Sequence, residues 1–114
     1  MDDCLFCKII SGDIKSDKIF ENEFVLVFRD INPKAPVHLL VVPKKHIASI
    51  MEIEKLGHGE IAEIMGSISR IAKELGLDKD GFRVVTNTGQ GAGQSVAHLH
   101  FHVLGKRTFN WPPG

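Results

Sequence analysis

The stretch His98-Leu99-His100-Phe101-His102-Val103-Leu104 alternates histidines with large apolar residues near the end of the chain. In a β-strand successive side chains point to opposite faces, so this alternation predicts a strand with its imidazoles on one surface and its apolar residues in a core. Imidazole serves as nucleophile, proton shuttle or metal ligand near neutral pH. Three on one strand therefore indicate a functional site.

The composition is that of a soluble globular protein. The chain has 114 residues, of which 43% are hydrophobic and 25% charged, and we expect a single domain over 1–114. Fourteen basic residues balance fourteen acidic ones, so no net field favours nucleic acid or a membrane surface. Met1-Asp2-Asp3 lacks the basic start of a signal peptide, and no apolar run approaches the ~20 residues that span a bilayer. We expect a cytoplasmic protein.

Hydrophobic periodicity predicts an α+β fold with an antiparallel sheet. Five short apolar segments are typical of strands: 19–21, 24–28, 38–42, 82–85 and the histidine stretch. A short helix is expected over 4–11, ended by Gly12. From Ile61 the apolar positions 61, 64, 65, 68, 71, 72 and 75 follow the 3.6-residue period of an amphipathic helix, which Gly76 ends. The fold class is thus a five-stranded antiparallel sheet with one long and one short helix.

A glycine-rich segment, 88–95, comes directly before the histidine stretch. Glycines let a backbone approach a ligand closely and point its N–H groups at an anion. Asn87, Gln94 and Ser95 add side-chain donors. An anion held against imidazoles favours phosphoryl or nucleotidyl transfer, in which a histidine nitrogen attacks phosphorus. Neighbouring donors would stabilise the charge that develops on the non-bridging oxygens.

The only cysteines, Cys4 and Cys7, have C-x-x-C spacing. In a reducing compartment this spacing indicates metal binding or redox chemistry rather than a structural disulfide. A tetrahedral zinc would need two further ligands. The strand–helix context of a thioredoxin-like redox site is missing, which makes redox chemistry the weaker interpretation.

Several segments together resemble the histidine triad family of nucleotide hydrolases and transferases. The histidine stretch has that family's pattern, and four further segments are similar in the same order: Phe6-Cys7-Lys8-Ile9-Ile10, Pro36-Val37-His38, Pro43-Lys44-Lys45-His46-Ile47 and Gly93-Gln94-Ser95-Val96. The ending Trp111-Pro112-Pro113-Gly114 resembles the Hint-like branch. That branch implies a purine nucleoside phosphoramidase, which cleaves the P–N bond between AMP and an amine.

The resemblance also implies roles for individual residues. His100 would be the nucleophile that is transiently nucleotidylated, His102 would contact the α-phosphate, and His38 would support the cluster. Ser95 would bind phosphate and lie near the leaving group. The other binding residues would be Asp30 at the ribose hydroxyls, Asn87 and Gly93 at the phosphate, and Phe6, Ile14, Ile31 and Leu40 around the purine.

The resemblance further implies a structural zinc and a homodimer. Similar bacterial members bind zinc through two cysteines and two histidines, which here would be Cys4, Cys7, His46 and His98. His98 must then turn away from the face shared by His100 and His102. The dimer would form through the long helix and the fourth strand, with the Trp111 tail near the partner's pocket.

Three other interpretations remain open at this point. One is hydrolysis of dinucleoside polyphosphates, the activity of a related branch, against which the Trp-Pro-Pro-Gly ending argues. The second takes His98, His100 and His102 as ligands of a catalytic metal, although no carboxylate accompanies the row. The third is a nucleotide-binding regulatory module with little turnover.

Overall fold

The computed structural model describes residues 3–114; the predictions that involve Met1 and Asp2 lie outside this range. The helices are α1 (Leu5–Ser11), α2 (His58–Glu74) and α3 (Leu77–Asp80), with 3-10 turns at Ile50–Lys55 and Gln90–Ala92. The strands are β1 (Lys18–Glu21), β2 (Val25–Arg29), β3 (Val37–Pro43), β4 (Phe82–Val85) and β5 (Phe101–Gly105).

The five strands form one antiparallel sheet in the order β1-β2-β3-β5-β4, as the sequence predicts for the fold class. β5 lies inside the sheet between β3 and β4, while β1 and β4 are its edges. This order places the histidine-bearing end of the chain beside β3, which carries His38.

Helices cover both faces of the sheet: α2, together with Leu77 of α3, covers one face and α1 covers the other. Four residues of α2 (Ile64, Ile68, Ile71 and Ala72) are buried against one face with Leu39, Val41, Phe101 and Val103. Phe6 and Ile9 of α1 pack on the other face with Leu26, Phe28, Leu40 and Val42. The apolar stripe of α2 thus covers the chain's own sheet.

The long helix begins earlier than the periodicity predicts. α2 starts at His58, after Gly57 at its N-cap, and the Glu60 carboxylate accepts the Gly57 N–H at 2.9 Å. This capping contact offsets the low helix propensity of Gly59. His58, the first residue of α2, is exposed. None of the helices within 3–114 has the length and apolar character needed to cross a membrane.

Candidate active site and metal centre

The regular strand in the histidine stretch begins at Phe101, so the prediction of a strand from His98 is wrong at its first three residues. Continuing the β3–β5 register beyond Val41 and Phe101 would set Leu99 opposite Pro43, which has no N–H to donate. Leu99 instead donates its N–H to the carbonyl of Ile47 at 2.8 Å. The segment is therefore held by the loop after β3 rather than by the ladder.

The apolar residues and the histidines of this stretch nevertheless lie on opposite faces, as the alternation predicts. Leu99, Phe101 and Val103 are buried in the core under α2. The imidazoles of His98 and His100 contact the Phe6 ring of α1, with centroids 5.9 and 4.9 Å away. His102 instead packs against His38.

His100 is held from both sides in a defined tautomer. It is 3% exposed, and its Nδ1 lies 2.7 Å from the carbonyl oxygen of His98. A carbonyl only accepts, so Nδ1 carries the proton and Nε2 keeps its lone pair. Thr86 donates its hydroxyl to the carbonyl of His100 at 2.8 Å, a brace that the sequence reasoning missed.

His38 and His102 form a directed hydrogen-bond pair. The backbone N–H of Lys34 donates to His38 Nδ1 at 3.0 Å, so the proton of His38 resides on Nε2. That nitrogen lies 2.9 Å from His102 Nδ1 and 3.4 Å from a carboxylate oxygen of Asp30. The shorter contact is the hydrogen bond, in which His38 Nε2–H donates to His102 Nδ1. The proton of neutral His102 is therefore on its Nε2.

Burial keeps this pair uncharged. Desolvation is the main cause that lowers the pKa of His38. The negative charge of Asp30 raises this pKa, and the positive charge of Lys34 lowers it further. The pKa of His102 is lowered to about 4, mainly by desolvation and further by the charges of the neighbouring His100 and His38. Asp30, His38 and His102 are also close enough to hold a metal ion. Because the two imidazoles are hydrogen-bonded directly to each other, a proton rather than a metal ion lies between them.

The four predicted metal ligands converge, although 94 residues separate Cys4 from His98. His98 Nδ1 lies 3.3 Å from the sulfur of Cys4 and 3.6 Å from that of Cys7, and His46 Nδ1 lies 3.4 Å from Cys7. The two Nδ1 atoms are 3.1 Å apart. Ligands around a tetrahedral zinc stand ~3.5 Å (sulfur to nitrogen) and ~3.3 Å (nitrogen to nitrogen) apart, given bonds of about 2.3 and 2.0–2.1 Å. The donor set therefore fits a closed zinc site.

Contacts around these ligands support the same conclusion. His98 Nε2 donates to the carbonyl of Pro43 at 2.8 Å, which leaves Nδ1 free to coordinate. The backbone N–H of Cys7 donates to the Cys4 sulfur at 3.2 Å. Burial, together with the hydrogen bond and charge of Cys4, raises the pKa of Cys7 to about 11. A bound cation would supply the charge that lets both sulfurs be thiolates.

This arrangement splits the histidine row between two sites. His98 joins the cysteines, while His102 joins His38. His98, His100 and His102 therefore do not form one three-histidine metal site, which removes the structural basis for that interpretation.

Two cavities contain most of the residues that the resemblance places around a nucleotide. The first, the apolar pocket, has a volume of about 300 Å³ and contains all four residues that the resemblance places around a purine; its lining includes Phe6, Ile14, Ser16, Phe28, Asp30, Ile31, Leu40 and Ser95. Ile31 is 91% exposed, so it forms the rim of this pocket rather than its floor.

The second cavity, the imidazole pocket, has a volume of about 470 Å³. It is lined by Asp30, Asn32, Lys34, His38, Val85, Asn87, Ser95, His102 and Leu104. Asp30, Asn32 and Ser95 line both cavities, so the two are adjacent. Sequence reasoning missed Asn32 and Lys34 because their loop, 30–36, has no periodic pattern.

The glycine-rich segment approaches this pocket through Ser95, but Gln94 is not one of its anion donors. The Gln94 amide donates to the carbonyls of Ala48 and Val96, at 2.7 and 3.0 Å, and its oxygen accepts the N–H of Gly89. Gln94 thus braces the loop. Gly93 adopts a φ of 86°, a left-handed conformation that favours glycine.

Comparisons with known proteins agree with this geometry. A model of the HIT domain matches residues 11–109. An uncharacterized HIT-like protein of Synechococcus elongatus is 42% identical over 113 residues, covering 99% of this chain and 98% of its own. A HIT family hydrolase from Legionella pneumophila is 44% identical with a TM-score of 0.89, and covers 98% of this chain and 100% of its own. A histidine triad protein from Clostridium difficile is 46% identical with a TM-score of 0.87, over 96% of each chain. The chain belongs to the HIT domain family.

Proposed function

We propose that this protein hydrolyses the P–N bond of purine nucleoside 5′-phosphoramidates through a covalent intermediate on His100. The observation that carries the proposal is the 2.7 Å hydrogen bond from His100 Nδ1–H to the carbonyl of His98. It leaves Nε2 as the nitrogen with a free lone pair, which a nucleophile requires. The similarity to HIT family hydrolases supports hydrolysis as the reaction class.

The proposed chemistry has two steps. His100 Nε2 forms a bond to phosphorus while the P–N bond to the amine breaks, and the amine leaves with that electron pair and gains a proton. Water then attacks phosphorus and gives up a proton, which replaces the one that the amine took up; the bond to His100 breaks, its electron pair returns to Nε2, and a nucleoside monophosphate is released. The His102 Nε2–H, directed by His38, is a suitable donor to a non-bridging oxygen. Ser95 would lie at the leaving group.

The two adjacent cavities suit a nucleoside monophosphate. We propose that the purine occupies the apolar pocket between Phe6, Ile14, Ile31 and Leu40. The ribose hydroxyls would donate to Asp30, where the two cavities meet. The phosphate would then lie in the imidazole pocket against His102, with Asn87, Gly93 and Ser95 as donors.

The Cys4, Cys7, His46 and His98 cluster is proposed as a zinc site. When bound there, zinc would be structural, because four protein ligands leave no open position for substrate. Its ligands come from α1, from the loop after β3 and from the segment before β5. The site would thus attach α1, and with it Phe6, to the sheet.

We also propose a homodimer through α2 and β4. β4 is an edge strand, and Val84 on it and Met65 on α2 are 41% and 45% exposed. A second copy can cover exposed apolar side chains and pair with an unpaired strand edge. Sedimentation equilibrium tests this: Val84→Lys should shift the mass toward the monomer, and a native monomer would contradict the proposal.

The test of the proposed reaction is release of AMP from an adenosine phosphoramidate. We expect turnover by the native protein, its loss in His100→Ala, and its retention in the control His58→Ala, which alters an exposed histidine at the start of α2. Full activity in His100→Ala would contradict the proposal. AMP binding without turnover would favour the regulatory module, and turnover restricted to dinucleoside polyphosphates would favour the related branch.

A further inference from the structure

The hydroxyl of Ser16 stands out among the polar groups of the structure. Within residues 3–114 it is the one buried side-chain oxygen or nitrogen that has no hydrogen-bond partner. Buried polar groups in folded proteins are nearly always paired, so an orphaned hydroxyl calls for an explanation. Leaving it unpaired disfavours the free protein.

Ser16 lies on the loop between α1 and β1 and lines the apolar pocket. The floor of this pocket consists of apolar side chains, among them Phe6, Phe28 and Leu40. A planar heterocycle that is buried there would bring ring nitrogens and exocyclic groups into surroundings with few hydrogen-bond partners. Those groups need partners of their own when water is removed.

Two other polar side chains of the pocket, those of Asp30 and Arg29, have partners within the chain. Asp30 accepts the N–H of Asn32 at 2.8 Å and lies 3.4 Å from His38. Arg29 pairs with Asp17 at 3.2 Å. Ser95 lies where the two cavities meet. Ser16 therefore offers a buried hydrogen-bonding group that no contact within the described chain uses.

We propose that Ser16 hydrogen-bonds the edge of the purine and thereby helps to select a nucleobase. This rests on the proposed function, which puts the purine in the same pocket. A serine side chain has one torsion with three staggered positions, so the hydroxyl can turn from its buried position toward the cavity. A hydroxyl both donates and accepts, so it can pair with the polar edge of adenine or of guanine.

The test is a comparison of ligand affinity and stability in Ser16→Ala. AMP should bind about 3- to 10-fold more weakly, the effect of one neutral hydrogen bond. Ribose 5-phosphate, which has no base, should bind with unchanged affinity. The Tm of the ligand-free protein should be equal to or higher than that of the native protein, because the variant removes an unpaired buried hydroxyl.

Ser11→Ala is the matched control, since the Ser11 hydroxyl is exposed and donates to the carbonyl of Lys8 at 3.1 Å. It should leave the AMP affinity unchanged. Ser16→Thr keeps the hydroxyl and should retain more AMP affinity than Ser16→Ala.

Three results would overturn the inference: an unchanged affinity for AMP, an equal loss for AMP and ribose 5-phosphate, or a lowered Tm without ligand. The last would mean that the hydroxyl has a structural partner. Failure of the proposed function looks different: the native protein would then not bind AMP, or would bind it without releasing AMP from a phosphoramidate, whereas the effect of Ser16→Ala is measured as a change in AMP affinity.

Discussion

The imidazoles of His38 and His102 are joined by a hydrogen bond of 2.9 Å between His38 Nε2 and His102 Nδ1. The N–H of Lys34 occupies the other ring nitrogen of His38, which fixes the direction of this bond. A proton added to His102 Nδ1 would set two N–H groups against each other. The pair is therefore compatible only with two neutral rings.

We expect the free energy of unfolding to fall as the pH drops from about 6.5 to about 4, the interval between the ordinary pKa of histidine and that of folded His102. In this interval the unfolded chain binds a proton that the folded chain does not, so acid favours unfolding. Above this interval both states are neutral and the contribution is constant. The lowered pKa of His38 acts in the same direction.

Urea denaturation at several pH values checks this expectation. The unfolding free energy of His102→Gln should depend less steeply on pH than that of the native protein, because the variant lacks this imidazole. The carboxylates contribute equally to the pH dependence of both proteins. His58→Gln, at an exposed position, should retain the native dependence. Equal slopes for the native protein and His102→Gln would show that this imidazole is protonated alike in the folded and unfolded states.

Removal of the metal should destabilise the protein without abolishing the chemistry. At free zinc about 1,000-fold above its Kd, binding contributes about 4 kcal/mol, so a strong chelator should lower the Tm substantially. Cys7→Ala should have a similarly low Tm and show no further change with chelator. Elemental analysis should find one zinc per chain. Complete loss of turnover in a protein that is still folded would instead indicate a metal-dependent hydrolase.

Replacing Gln94 should loosen the glycine-rich loop. Gln94→Ala removes hydrogen bonds to Ala48, Val96 and Gly89, and we expect a loss of about 1–3 kcal/mol in unfolding free energy together with weaker AMP binding. Gln90→Ala is the control, since Gln90 is exposed in the same loop. A native-like Gln94→Ala would show that this bracing is dispensable.

Removing residues 111–114 should alter the choice of leaving group more than the affinity for nucleotide. Trp111 is 82% exposed in the chain, so its loss should change the unfolding free energy by no more than about 0.5 kcal/mol. Phe109 stays anchored, with the guanidinium groups of Arg83 and Arg107 at 5.1 and 4.2 Å from its ring.

We expect relative rates among amine leaving groups to change by about 3-fold or more, the scale of a lost apolar contact. The readout is a competition assay with several phosphoramidates. An unchanged selectivity profile would rule out a part for the tail in the choice of leaving group.

The fold class could be predicted from the sequence because its signals are local. Alternation at 98–104 fixes which side chains share a face, and the helical period from Ile61 identifies the covering helix. The start of α2 and of β5 could not be predicted in this way. The start of α2 depends on the hydrogen bond between the Gly57 N–H and the Glu60 carboxylate. The start of β5 depends on the absence of an N–H at Pro43.

The sequence by itself determined the residue types and their local spacing: paired cysteines, a row of imidazoles and a glycine-rich segment before it. Only the tertiary structure decided how that row divides. His98 turns to Cys4 and Cys7, while His102 meets His38. The physical reason is that periodicity acts over a few residues, whereas these contacts join positions up to 94 apart. They exist because the sheet pairs β5 with β3 and because α1 packs on the same face.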